Sequence, residues 1–160
     1  MKLILIFLLS VITPAKDSAT HLGVYNEILE QGLEFPDIVF AQAVLESGGF
    51  TSRVSKENNN IFGMRRPTKR PTTSVGASHG YSVYESWRES IEDYRLFQEM
   101  LFSKHKFTRS SYLEYLDKYY STTKGYKNRV LRIIKNHKTL LYPPPSDRND
   151  GNLDNDLVIP

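Results

Sequence analysis

Apolar residues in the first part of the chain recur every three or four positions, the spacing that collects side chains on one face of an α-helix. The first such face comprises Leu22, Tyr25, Ile28 and Leu29. A second helix is predicted to begin at Pro36, because proline suits a first turn in which its missing N–H would be unpaired. It runs through a dense apolar stretch to Glu46, where two glycines allow the backbone to turn away. We expect this second helix to be central and buried.

The helical period is lost between residues 64 and 84, where turn formers alternate with β-formers. Tyr81, Val83 and the neighbouring Tyr84 indicate a short strand, so we predict a small β-hairpin lobe in this segment. The lobe separates the first two helices from a second helical part of the chain.

Helix resumes after the lobe at two polar signatures, Ser86-x-x-Glu89 and Ser111-x-x-Glu114. Both match the capping box, in which two side chains satisfy the first free backbone N–H groups of a helix. A final helix is predicted from about Tyr126. The sequence therefore predicts a mainly α (α+β) fold, a helical domain with one small β-hairpin lobe.

The two ends of the chain differ in composition from the middle. Residues 1–15 combine Lys2, an apolar run and small residues, which predicts a secretory signal, with an uncleaved anchor as the alternative. Residues 143–160 are rich in proline, asparagine and aspartate and predict a disordered acidic tail. The predicted domain is 16–142. We expect a secreted or periplasmic protein, associated with the cell wall and held by packing alone, because it contains no cysteine.

Basic residues follow the central motif as a cluster of Arg65, Arg66, Lys69 and Arg70, in a chain with a formal charge of +3. This cluster favours an anionic partner such as a cell-wall polymer, nucleic acid or a membrane surface, although a solvated face explains it equally well. There is no nucleic-acid-binding motif, and the apolar run at the start is too short to span a bilayer. We expect neither nucleic-acid binding nor stable membrane insertion.

The chemistry-bearing residue types narrow the function classes. The four histidines are scattered without HExxH spacing and there is no thiol, so we expect no metal site. The sequence also lacks a glycine-rich phosphate loop and a nucleophile-elbow serine. We expect no cofactor. Carboxylate chemistry remains.

Glu46 is the candidate acid. A general acid for glycoside cleavage must keep its proton near neutral pH, and burial against apolar neighbours raises the pKa of a carboxyl in that direction. The negative end of the helix dipole acts in the same sense at a helix C-terminus. By position alone, an ordinary solvent-exposed glutamate at a helix end is the alternative.

Three motifs, AQAVLESGGF, NNNIFGM and GYSVYESWRESIEDY, occur in this order. Together they resemble the glucosaminidase domain of glycoside hydrolase family 73, over roughly residues 18–137. The resemblance implies a lysozyme-like fold with a substrate cleft between the helical body and the β-lobe. It also implies hydrolysis of the β-1,4 bond after N-acetylglucosamine in peptidoglycan glycan strands.

The resemblance carries site residues onto this sequence. The family's catalytic acid falls on Glu46, and its late tyrosine motif places a catalytic tyrosine at Tyr120, with Tyr119 as an alternative by register. The substrate-binding residues implied are Asn60, Phe62, Gly63, Tyr84 and Tyr126. For each tyrosine, helix packing is the alternative interpretation.

A second carboxylate is missing from its expected place. Many relatives carry a glutamate in the β-lobe, but residues 65–84 contain no Asp or Glu. Glu57 and Glu85 flank the lobe and are the possible replacements. Alternatively, the acetamido group of the substrate, or a water held by Tyr120 and Asn60, replaces the second acid.

We therefore expect a monomeric endo-β-N-acetylglucosaminidase whose partner is the peptidoglycan glycan strand. A lytic transglycosylase is the nearest enzymatic alternative, because a lysozyme-like fold with one acid can perform that chemistry. The alternative from another class is a catalytically silent peptidoglycan-binding module.

Overall fold

The computed structural model describes residues 17–121 and 123–144. Its α-helices are α1 His21–Glu30, α2 Pro36–Ser47, α3 Arg53–Asn58, α4 Trp87–Phe102, α5 Arg109–Tyr115, α6 Tyr126–Asn136 and α7 Lys138–Leu141. Strands β1 Gly76–Ser78 and β2 Tyr81–Val83 pair antiparallel, with Ala77 opposite Ser82. A π-helical turn, Leu116–Tyr120, follows α5. The predicted fold class, mainly helical with a small hairpin lobe, is confirmed.

Helix α2 is the centre of the structure. Residues 37–44 are all buried, and the helix packs against both α1 and α6. Ala41 and Ala43 have no exposed surface, so the neighbouring helices approach it closely. This burial on all sides fixes the direction in which the last turn of α2 carries Glu46.

One predicted helix start is wrong. Ser86 is the N-cap of α4 as expected, and its hydroxyl accepts from the Glu89 backbone N–H. At the other position, helix α5 begins three residues earlier, with Thr108 as its N-cap. Ser111 is the reciprocal partner of Thr108, because each side chain accepts from the other residue's backbone N–H. Ser111 therefore closes a capping box instead of opening one.

The β-lobe is tied to the helical body by a buried ion pair. Arg70 donates to both carboxylate oxygens of Asp93 on α4, at 2.6 and 3.2 Å, and both side chains are at least nine-tenths buried. The Tyr84 hydroxyl donates to the same carboxylate at 2.6 Å. Arg70 is thus a structural cation. Of the basic cluster, Arg65, Arg66 and Lys69 are the exposed members.

The predicted signal at 1–15 lies outside the described residues, as does the predicted tail apart from residues 143 and 144. Within the described part of the chain, no helix combines the length and apolar character needed to cross a membrane.

Candidate active site

Glu46 lies on the last turn of α2, next to Ser47, the final residue of the helix. Gly48 and Gly49 follow with φ angles of +59° and +66°, a left-handed backbone that favours glycine and turns the chain away at once. The Glu46 side chain is half-buried and lines two adjoining cavities. Its carboxylate is therefore held by a rigid helix at the edge of open space.

The environment of Glu46 favours the protonated form. Burial raises the pKa of its carboxyl above the ordinary value, and this effect exceeds the opposing ones. The opposing effects are a hydrogen bond from Tyr126 and the positive charge of Arg129, both of which stabilise the carboxylate. A carboxyl with a raised pKa that faces a cavity is suited to general-acid catalysis.

The two cavities together form a cleft on either side of Glu46. One has a volume of about 580 Å³ and includes Tyr81 of β2 and Ser121. The other, of about 400 Å³, includes Phe62 and Phe97. The two share Glu46, Gly63, Arg65 and Tyr120. An acid between two connected depressions is placed as the cleavage of a polymer requires, with chain bound on both sides of the broken bond.

The turn over residues 60–64 shapes the cleft next to the acid. Gly63 has a φ angle of +61°, and a Cβ built on it would lie 3.9 Å from Glu46 Oε2. The Asn60 amide donates to Met64 O at 2.8 Å and to Ser82 O at 3.0 Å, and Asn60 Oδ1 accepts from Met64 N. Asn60 is buried, and it holds the turn in place instead of lining either cavity. Phe62 reaches the smaller cavity and stacks on Tyr94.

The predicted tyrosines occupy different places. Tyr120 lines both cavities and donates to Phe62 O at 3.3 Å. Tyr126 is buried against the acid, with its hydroxyl donating to Glu46 Oε1 at 2.7 Å. Tyr84 is buried beneath the lobe on Asp93 and lines neither cavity. Tyr119 is 63% exposed and also lies away from them.

Neither candidate second carboxylate reaches the cleft. Glu57 lies on the exposed side of α3, where it forms a 2.9 Å ion pair with Arg53. Glu85 is exposed in the segment before α4. Among the described residues that line the two cavities, Glu46 is the only acid.

The family model for mannosyl-glycoprotein endo-beta-N-acetylglucosaminidase matches residues 24–139 of this chain. The chain belongs to this glucosaminidase family. The match to this family of glycoside hydrolases spans every element from α2 to α6 that contributes to the site. The family resemblance of the motifs is confirmed.

Similar proteins include a sequence relative and two solved structures. Protein bax of Escherichia coli strain K12 is 38% identical over 71 residues, which are 44% of this chain and 26% of bax. A chain of a type VI secretion system effector-immunity complex from Pseudomonas protegens has a TM-score of 0.57 at 19% identity, covering 76% of this chain and 88% of its own. The catalytic domain of the autolysin Auto from Listeria monocytogenes has a TM-score of 0.53 at 18% identity, covering 80% and 90%. The two structures share the fold.

Sequence reasoning missed three residues around Glu46. Gln42 lies one helical turn before Glu46, a spacing visible in the sequence, and is fully buried. Tyr94 is also fully buried, and its hydroxyl donates to Gln42 Oε1 at 2.6 Å. Arg129 adds positive charge near Glu46 from α6. No sequence signal pointed to the last two, because they reach the site from distant elements.

Proposed function

We propose that this glucosaminidase is an endo-β-N-acetylglucosaminidase that cleaves the β-1,4 bond after N-acetylglucosamine in peptidoglycan glycan strands. The observation that carries the proposal is the location of Glu46, a carboxyl with a raised pKa at the junction of two connected cavities. Membership of the glucosaminidase family supports the proposed sugar specificity. The glycan strand binds across the cleft, with its scissile bond next to Glu46.

The absence of a second acid among the described residues that line the cleft favours a substrate-assisted reaction. Glu46 gives its proton to the glycosidic oxygen as the C1–O bond breaks. The acetamido oxygen of the same sugar then bonds to C1 and forms an oxazolinium ion. Water adds to C1 as the bond between C1 and the acetamido oxygen breaks, and it loses a proton to the Glu46 carboxylate, which restores the acetamido group and the protonated acid. Tyr120 lines both cavities next to the reacting sugar; its hydroxyl donates to Phe62 O at 3.3 Å, and burial raises the pKa of that hydroxyl, so it stays neutral.

The competing two-acid mechanism needs Glu57 or Glu85 in the cleft. A Glu57→Gln, Glu85→Gln double variant separates the two mechanisms. Substrate assistance predicts that the double variant keeps wild-type activity and that de-N-acetylated glycan is not cleaved. Loss of activity in the double variant would assign the second role to one of these acids.

Lytic transglycosylase chemistry is the second candidate, and the same observation of a single acid in the cleft supports it. In that reaction the C6 hydroxyl of N-acetylmuramic acid attacks C1, so the fragments end in an anhydro-sugar. Mass spectrometry of fragments from purified peptidoglycan distinguishes the reactions. We expect fragments with reducing N-acetylglucosamine ends, whereas anhydro ends, lighter by one water, would establish the alternative.

A gel assay containing purified peptidoglycan distinguishes an enzyme from a non-catalytic peptidoglycan-binding module. We expect a clearing zone for the wild type and none for Glu46→Gln, with both proteins still bound to the wall material. If neither the wild type nor Glu46→Gln clears the gel, the chain is a non-catalytic binding module.

We propose that the enzyme acts outside the cytoplasm as a monomer. Its exposed Arg65, Arg66 and Lys69 then attract anionic wall polymer to the lobe side of the cleft. Binding to peptidoglycan that falls steeply with ionic strength in the wild type, and less steeply in an Arg66→Gln, Lys69→Gln variant, tests this role.

A further inference from the structure

A buried polar network leads from Glu46 to the opposite side of the helical core, and its far end is anchored by backbone. Gln98 Oε1 accepts from the Glu34 backbone N–H at 2.7 Å, and Gln98 Nε2 donates to the Glu34 carbonyl at 2.9 Å. A backbone N–H only donates and a carbonyl only accepts, so these two bonds determine which end of the amide is which. The amide nitrogen of Gln98 therefore faces Tyr112, where it donates to the hydroxyl at 3.4 Å.

The direction of the next bonds follows from proton counting. Burial raises the pKa of the Tyr112 and Tyr94 hydroxyls, so each is neutral and has one proton to donate. The Tyr112 oxygen accepts from Gln98, and its proton is left for the Tyr94 oxygen 2.8 Å away. Tyr94 then donates its own proton to Gln42 Oε1 at 2.6 Å. The carbonyl end of Gln42 is thereby engaged.

The last two hydrogen bonds extend the same direction of donation to Glu46. With its oxygen engaged by Tyr94, Gln42 presents Nε2 to the Tyr126 hydroxyl and donates at 3.4 Å. Tyr126 in turn donates its single proton to Glu46 Oε1 at 2.7 Å. Glu46 Oε1 is thus an acceptor in both charge states, and a proton on Glu46 must reside on Oε2. That oxygen lies towards Gly63, which lines both halves of the cleft.

We infer that Gln98, Tyr94 and Gln42 are positioning residues: they fix the direction of hydrogen donation towards the catalytic acid and keep its transferable proton on the oxygen that faces the cleft. The inference rests on the proposed role of Glu46. None of the three side chains lines either cavity, so they act through Tyr126 and not on the glycan.

Three other elements contribute charged and titratable groups around Glu46. Helix α6 contributes Tyr126 and Arg129, the π-helical turn contributes Tyr120, and the loop before the hairpin contributes Arg65. The bond from Tyr126 stabilises the carboxylate and opposes the effect of burial on the pKa of Glu46. Any change that redirects the Tyr126 proton should therefore raise that pKa further, while the charges of the two arginines stay in place.

A Tyr94→Phe variant tests the inference without touching the cleft. It leaves the Gln42 oxygen without a donor, so the Gln42 amide can rotate and take the Tyr126 proton away from Glu46. We expect kcat to fall about tenfold at unchanged KM, because only the delivery of the proton is impaired. We also expect the alkaline limb of the pH profile, and the pKa of Glu46 followed by ¹³C NMR of the carboxyl carbon, to move to higher pH.

Tyr25→Phe is the matched control. Tyr25 is also buried, and its hydroxyl donates to the Leu141 carbonyl, away from the network. The Tyr25→Phe variant loses the same hydroxyl oxygen as Tyr94→Phe, and it should keep the wild-type kcat and the wild-type pKa of Glu46. Tyr112→Phe is a second test variant, one bond further out, and should change both quantities in the same direction by a smaller factor.

The outcomes are distinct. If Tyr94→Phe and Tyr112→Phe match Tyr25→Phe in kcat and in the pKa of Glu46, the network does not position the acid and the inference is overturned. An active Glu46→Gln variant would instead overturn the proposed function. The NMR titration needs no turnover, so it reports on the network in either case.

Discussion

The Tyr126 hydroxyl donates a 2.7 Å hydrogen bond to Glu46 Oε1, joining residues 80 positions apart in the chain. The contact connects the last turn of α2 with the first residue of α6. Arg129, one turn further along α6, adds its positive charge to the same carboxylate. One face of α6 therefore stabilises the ionised form of the acid, while burial stabilises the protonated form.

Removing this contact should make Glu46 a poorer acid. In Tyr126→Phe the carboxylate loses a charge-assisted hydrogen bond, so the pKa of Glu46, which burial already raises, should rise further. We expect kcat/KM to fall about tenfold to a hundredfold, with the alkaline limb of its pH profile moved to higher pH. An unchanged pH profile would separate Tyr126 from the ionisation of Glu46.

Glu46→Gln should remove activity and add stability. Loss of the general acid is expected to lower kcat by about a hundredfold to ten-thousandfold. Because burial raises the folded-state pKa of Glu46, the folded protein binds more protons than the unfolded chain between the two pKa values, and its stability falls as pH rises through that range. A glutamine at this position does not ionise, so the variant does not lose stability in this way. The variant should therefore have a higher Tm than the wild type at neutral pH.

The control for this stability effect is acidic pH. Below the ordinary pKa of glutamate, both proteins carry a neutral group at residue 46, and the Tm difference should disappear. A Tm difference that is independent of pH would mean that the gain comes from packing and not from the removal of a buried charge.

Asp37 should show the opposite dependence. Burial alone would raise the pKa of its carboxyl, but hydrogen bonds from Arg109 and Tyr142 outweigh burial and lower it. A lowered folded-state pKa stabilises the protein above the unfolded value, and this contribution is lost as pH falls through the folded value. We expect Asp37→Asn to cost about 2 kcal/mol at neutral pH and progressively less in acid. Thermal unfolding as a function of pH measures both slopes.

The buried pair between Arg70 and Asp93 should be critical for the lobe. Arg70→Met leaves the Asp93 carboxylate buried with only Tyr84 as a donor, and breaking such a pair costs about 3–5 kcal/mol. The exposed Arg66→Met is the matched control, since it removes the same charge and should change the free energy of unfolding by less than about 0.5 kcal/mol. Denaturant unfolding compares the two, and equal effects would show that Asp93 does not depend on Arg70.

Local patterns in the sequence were sufficient to predict the main helices, the hairpin lobe and the location of Glu46 at a helix end. The apolar run ending at Glu46 and two glycines predicted the C-terminal turn of α2, because helix periodicity and left-handed glycines act over a few residues. The wrong helix start predicted at Ser111 also has a local cause. Thr108-x-x-Ser111 and Ser111-x-x-Glu114 are both plausible caps, and only the folded chain, in which Arg109 pairs with Asp37, selects the earlier one.

The sequence by itself determined the helical domain, its hairpin lobe, the family and the location of Glu46 at a helix end, since short-range periodicity and motif order carry that information. Only the tertiary structure decided how the acid is held. Gln42, Tyr94 and Tyr126 come from three helices, and their hydrogen bonds exist only when those helices pack together. Burial, which raises the pKa of Glu46 and of these tyrosines, is likewise a property of the packed core and of no single segment.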